Sequence, residues 1–270
     1  MYSVGNNVVH PCYGAGTIRQ IQTKTLGETS HRYYVIRMMF GPHPMQVMVP
    51  VRRADDIGLR PVCKPSRLHK ALSSCLVAPR KQEIEPDYRT RQQEMQELMK
   101  TGRVEDLVLI VRRLCRLNEN RRLGSADRRI WDQAKAQLTG ELALGLDQSI
   151  SDATEELEDR LARMVDGLKV RQILSDPPLP KGTLTKDDAG RRRTMKAHLE
   201  SEDAQEIATV VTQLAFMSNT RSLDPLDQRI LDTGKRMLVH KLANAPDVKK
   251  SAANQEIEDY LAAMSEAEHE

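Results

Sequence analysis

The sequence predicts an α+β chain: a small N-terminal β-barrel followed by two repeated all-α modules. Three observations lead there. Strand-rich runs are confined to residues 4 to 62, helical periodicity takes over from residue 66, and the helical pattern recurs in register one hundred positions later. A length of 270 residues suits two or three compact units rather than one. Aromatic residues make up only 3%, so the cores rest on aliphatic side chains and 12 Met, a composition that favours small helical modules.

The β-rich runs are Val8–Pro11, Gly14–Ile21, Arg32–Met38 and Gln46–Pro50, punctuated by Gly14, Gly16, Gly27, Gly41, Pro42 and Pro44. So many short strands in so few residues hide their edges best by curling into a barrel. Ser66–Leu76 suits a short helix, and Pro79 and Pro86 bracket an exposed connection. Asp87 then caps a new helical pattern, with connections expected at Gly102, at Asn118-Glu119-Asn120 and around Asp147. Shifting the chain by one hundred superposes Leu123, Asp127, Arg129, Ile130, Asp132 and Lys135 on Leu223, Asp227, Arg229, Ile230, Asp232 and Lys235. Asp224-Pro225 starts a helix in the second copy, with Asp at the cap and Pro at the first helical position. The expected organisation is a barrel at 1–62, a connecting helix and linker at 63–87, a helical module at 88–166, a proline-rich linker at 167–190 and a second copy at 191–265.

Charge is unevenly spread. Residues 1–122 hold 21 Lys+Arg against 11 Asp+Glu, whereas residues 123–270 hold 20 against 27. A cationic first half suits nucleic acid or an acidic protein surface, or is simply a solvated basic face. The N-terminus has no signal-peptide pattern and no apolar run reaches spanning length, so a cytoplasmic protein without membrane contact is expected. Cys12, Cys63, Cys75 and Cys115 are scattered without metal-ligand spacing, and Cys75 and Cys115 read as buried reduced thiols. The acidic run Glu155-Glu156 and Glu158-Asp159 reads as a solvated helix face. There is no P-loop, GxSxG elbow, HExxH motif or dinucleotide fingerprint, and the His residues are dispersed. A non-enzymatic protein without cofactor or metal is expected, and a helicase or other enzyme fragment is disfavoured by the missing phosphate loop.

The stretch from Val4-Gly5-Asn6-Asn7-Val8-Val9-His10-Pro11 through Gly14-Ala15-Gly16-Thr17-Ile18, with Tyr33-Tyr34-Val35-Ile36, Val47-Met48-Val49-Pro50 and Gly58-Leu59-Arg60, resembles the polymerase-interacting domain of the CarD/CdnL family. That domain also occurs in transcription-repair coupling factors. Gly102, Val104 and Leu107, then Leu123, Asp127 and Arg129, and finally Gly140-Glu141-Leu142-Ala143-Leu144 resemble the helical domain of CarD proteins. The resemblance spans residues 2 to 164, with the second helical copy added to the usual layout.

It implies a bacterial transcription regulator whose Tudor/SH3-like barrel binds the RNA polymerase β subunit. Its helical module would contact promoter DNA, without sequence specificity, at the upstream edge of the bubble and so stabilise the open complex. The implied DNA contacts are Tyr88 as the aromatic wedge and Arg128 as its basic neighbour, with Arg89, Arg91, Arg121 and Arg122 on phosphates. Tyr offers less stacking area than the family's usual Trp. The implied polymerase contacts are Lys24, Arg37, Val47, Met48, Val49 and Pro50, where Met48 lacks the family's charge and the strand offers an edge for pairing. In the second copy Asp188 and Gln228 replace Tyr88 and Arg128, so that copy is not expected to bind DNA in the same way. A monomer, associated with the nucleoid through polymerase, is expected. The alternative is a polymerase-associated scaffold whose helical modules bind another protein.

Overall fold

The computed structural model describes residues 1–26, 29–39, 45–175, 188–243 and 250–266. The turn residues Gly27, Gly41, Pro42 and Pro44 and stretch 176–187 of the expected linker lie outside them. The α+β class holds, with strands first and helices after. The chain divides into two compact units, Met1–Leu161 and Ala162–Glu270.

In the first unit β1 (Asn7–His10), β2 (Gly14–Leu26), β3 (Thr29–Met38), β4 (Gln46–Pro50) and β5 (Arg60–Pro61) form one antiparallel sheet in the order β4-β3-β2-β1-β5. Alternation places Val8, Ile18, Tyr34, Ile36, Met38 and Val49 in its core, with Ala54 and Leu59 closing over them. The register slips between Ile18 and Gln20, a bulge that bends β2. Strands β4 and β5 are the two edges, and among the described residues no ladder joins them, so a hydrogen-bonded barrel closure is not seen. The sequence pattern missed β5, which is two residues long and includes a proline that an edge tolerates.

The helices α1 (Pro65–Cys75), α2 (Tyr88–Thr101), α3 (Val104–Asn120), α4 (Ser125–Leu146) and α5 (Ile150–Ser175) follow. Asp87 caps α2 by accepting from Thr90 N at 2.8 Å, and Gly102 ends it in the left-handed conformation at φ 60°. The expected connection at 118–120 is helical; the break falls at 121–124, where Gly124 takes the extended cap of α4. Helix α1 buries Leu68, Ala71, Leu72 and Cys75, and α3 holds the chain after it through Arg112 to the Val77 carbonyl and Arg116 to the Pro79 carbonyl.

The sheet docks on α4. Gln137 Nε2 donates to the Cys12 carbonyl at 3.2 Å, and a Cβ placed on Gly140 would come within 3.6 Å of Met39 Cβ and 3.8 Å of Ala15 Cβ. Arg60 grips both carboxylate oxygens of the fully buried Glu141, at 2.6 and 2.7 Å, and Cys63 N donates to the same carboxylate at 3.0 Å. Burial opposes the Arg60 charge, but the hydrogen bond and charge of Glu141 raise its pKa above the ordinary value.

In the second unit α6 (Asp188–Glu200), α7 (Ala204–Thr220), α8 (Pro225–Ala243) and α9 (Lys250–Glu266) start one hundred positions after α2 to α5. Its core holds Met195, Ile207, Val211, Leu214, Leu238 and Ile257, joined by Val170 and Ile173. Asp224 Oδ1 accepts from Leu226 N at 2.8 Å, the cap the Asp-Pro pair predicts. Of the stretch expected as linker at 167–190, residues 167–175 belong to α5 and 188–190 to α6.

Candidate functional site

Tyr88 is the first residue of α2 and is 46% exposed. Its position is fixed from beneath. The Asp87 cap holds the backbone turn, and the hydrogen bond from Thr90 keeps the Asp87 carboxyl below the usual carboxylate range. Arg91, one turn on, is 1% exposed and reaches three ways: Nη1 to the carbonyls of Glu85 and Pro86 (2.9 and 3.3 Å), Nη2 to Asp127 Oδ2 (2.7 Å), and its guanidinium within 5.8 Å of the Tyr88 ring. Through Asp127 the start of α2 is tied to the first turn of α4. The expected phosphate contact of Arg91 is therefore corrected, because its buried charge is committed to Asp127.

The other cations do face solvent. Arg89 lies beside Tyr88, Arg121 and Arg122 occupy the connection from α3 to α4, and Arg128 follows Asp127 on α4. Arg128 is 54% exposed at its side chain, 3.4 Å from Asp132 and 5.1 Å above the Trp131 ring. Sequence reasoning missed Trp131, the chain's single Trp. It lies at 9% exposure between Arg128 and Lys135, whose Nζ is 4.5 Å from the ring centroid. The signal was available: cations at i−3 and i+4 flank an aromatic on a helix. Arg129, exposed on the same turn, was also passed over.

On the sheet, Arg37 and Met48 share the face opposite the core, through the pairs Arg37↔Gln46 and Val35↔Met48, and Pro50 ends the β4 edge. Val49, 1% exposed, and Val47, packed on the same core, turn their side chains inward, so it is their backbone on the edge that is available for strand pairing. Lys24 is exposed but pairs with His31, six strand positions from Arg37 and so about 20 Å away. It is nearer to Pro50, which pairs with Tyr33 two positions from His31, than to Arg37.

At the matching end of unit 2 two arginines are paired with nearby carboxylates, while Arg229, at the Arg129 position, is exposed. Arg191 pairs with Asp227 as Arg91 does with Asp127, at 2.7 Å in both, and also with Asp188, the residue at the Tyr88 position. Arg192 adds Asp227 Oδ1 at 2.7 Å and Asp224 at 3.2 Å, and Gln228 bonds Asp232 where Arg128 faced Asp132. Burial alone would raise the Asp227 pKa, yet the hydrogen bond of Arg192 and the two arginine charges bring it below the ordinary value.

Among the described residues there is no cluster of His, Cys, Asp and Glu able to hold a metal ion, and no helix long and apolar enough to cross a membrane. Residues 2–63 match the family model of the CarD-like/TRCF RID domain, and two stretches, 73–158 and 169–258, match that of the CarD C-terminal domain. Over 142 residues, 53% of this chain and 90% of the relative, the sequence is 30% identical to the Bacillus subtilis (strain 168) protein named "Putative transcription factor YdeB". With both domains matched in order along most of its length, the chain belongs to the CarD family.

Proposed function

We propose that the protein regulates transcription by holding RNA polymerase through its sheet domain while the α2/α4 end of unit 1 contacts promoter DNA at the upstream edge of the bubble. The regulatory role is supported by both CarD-family domains and by the relative's name. The finer reading rests on one observation above the others. The buried Arg91–Asp127 pair holds an exposed aromatic, Tyr88, beside a helix start that carries exposed Arg128 and Arg129, with Arg121 and Arg122 just before it. An amphipathic ring among cations suits a wedge at a distorted minor groove flanked by phosphates. The β4 edge, with Arg37 and Met48, is the surface we assign to the polymerase β subunit, and we read the sheet domain as the family's Tudor-like barrel.

Binding the open state better than the closed one shifts the equilibrium by the difference in affinity. Open-complex lifetime in an abortive-initiation assay tests this. Wild type lengthens it and Tyr88→Ala loses most of the gain, whereas equal lifetimes with and without the protein refute the proposal.

We read unit 2 as a second copy of the helical module. Its Arg191 and Arg192 are engaged by Asp188, Asp224 and Asp227, and Asp188 and Gln228 stand at the Tyr88 and Arg128 positions, which favours a protein-binding role for that copy over a second DNA contact.

A further inference from the structure

Reading unit 2 as a second helical copy allows the two to be compared residue by residue, and they differ sharply on one face. In unit 1 that face of α4 carries the sheet: Gln137 holds the Cys12 carbonyl, Gly140 lets Ala15 and Met39 approach, and Glu141 receives Arg60. One hundred positions on, α8 has Met237, His240 and Lys241, and Ala136 has become Arg236. Each change forbids a sheet domain of the same kind. Met237 has no donor for a carbonyl, the His240 ring fills the approach that Gly140 leaves open, and Lys241 would set one cation against another where Glu141 receives Arg60. A second chain's sheet domain is therefore not the occupant.

The altered residues line a cleft of about 440 Å3 together with Asp166 and Glu202. Lys241 is already paired, to Asp166 at 2.8 Å. Arg236 and His240 are exposed, and among the described residues no carboxylate pairs with either. The Arg236 guanidinium is steadied by its own helix, through the Asp232 carbonyl at 3.3 Å and Thr233 Oγ1 at 3.2 Å, which leaves donors for an incoming anion. Met237, partly buried against the core, supplies an adaptable apolar floor. Asp166 and Glu202, also in the lining, repel a run of phosphates more strongly than a single carboxylate placed against Arg236.

We propose that this cleft is a docking site for a protein segment presenting an acidic side chain next to an apolar one, the carboxylate on Arg236 and His240 and the apolar group on Met237. The isotopically labelled full chain, titrated with a short peptide of alternating glutamate and leucine, tests it. Saturable amide shifts are expected at Thr233, Arg236, Met237 and His240, with affinity about tenfold weaker in Arg236→Glu, as for loss of one charge-assisted hydrogen bond. The milder Arg236→Gln, which keeps the stem packing, should weaken binding in the same direction. No localised shifts, shifts that survive both substitutions, or cleft shifts evoked instead by a promoter-fork duplex each overturn the proposal. The duplex arm separates this idea from the DNA reading of unit 1, because shifts at the α2/α4 end report on that reading alone.

Discussion

Removing the carboxylate of Asp127 asks how much of the Tyr88 site depends on one buried ion pair. The two side chains are 1% and 4% exposed, so Asp127→Ala strands a guanidinium in the interior. Breaking a buried pair from one side costs roughly 3–5 kcal/mol, against about 1 kcal/mol for a lone hydrogen bond. Arg91 keeps the Glu85 and Pro86 carbonyls, so the lower end of that range, about 3 kcal/mol, is expected. For a unit of this size that corresponds to a fall of about 6–12 °C in its thermal transition. Scanning calorimetry of the full chain measures it, with the unit 2 transition as internal reference. The double variant Arg91→Met/Asp127→Leu should recover much of the loss, because no orphaned charge remains. A loss under about 1 kcal/mol in Asp127→Ala, or a double variant no better than the single, refutes the account.

Three further outcomes follow from geometry elsewhere. Gly102→Ala should destabilise unit 1 by about 2 kcal/mol, since φ is 60° and the new Cβ meets Pro11 Cα at 3.0 Å; an unchanged urea midpoint would contradict this. Glu105 is held at about 2 by the hydrogen bond from Arg67, burial opposing, so its contribution is complete above the ordinary carboxylate pKa and fades as pH falls from there toward 2. Both side chains are about half exposed, which limits that contribution to about 1 kcal/mol; carboxyl NMR should show the midpoint return to the ordinary range in Arg67→Gln. Burial pushes the Cys75 and Cys115 thiols up to about 12, and burial followed by the Glu141 charge pushes Cys63 to about 11, so alkylation near pH 8 should label exposed Cys12 first; equal labelling of Cys75 would count against the packing.

How far the sequence could be read depends on whether a feature is periodic or relational. The strands announced themselves by alternation, α2 by the Asp87 cap and α8 by Asp224-Pro225, all of them local signals. Strand β5 did not, because two residues carry no period and its pairing with Val8 and Val9 is long-range. At the site, the exposed position of Tyr88 agrees with its placing at a helix start, but Arg91 looked like any other arginine of a basic stretch. Its burial comes from Asp127, 36 positions away. Val49 carries two signals at once: the edge location of β4 is a property of the sheet, whereas the inward side chain follows from alternation, and the two point to different roles.

Read as two copies, the stretches that match the same family model also suggest which residues belong to the scaffold and which to the proposed site. Arg91–Asp127 recurs as Arg191–Asp227 at the same distance, so it belongs to the module's architecture, while Tyr88 and Arg128 do not recur. The copies differ inside that shared architecture as well. In unit 1 Asp127 Oδ1 and Gln92 Nε2 are buried without a hydrogen-bond partner, whereas in unit 2 Arg192 fills the Gln92 position and bonds Asp227 Oδ1 at 2.7 Å. Gln92→Arg should therefore import the missing contact and raise the unit 1 transition, and Arg192→Gln should lower that of unit 2. The gain at position 92 must vanish in an Asp127→Asn background, where the charged acceptor is gone. If it persists there, the added arginine works through general surface charge and the equivalence of the two sites fails.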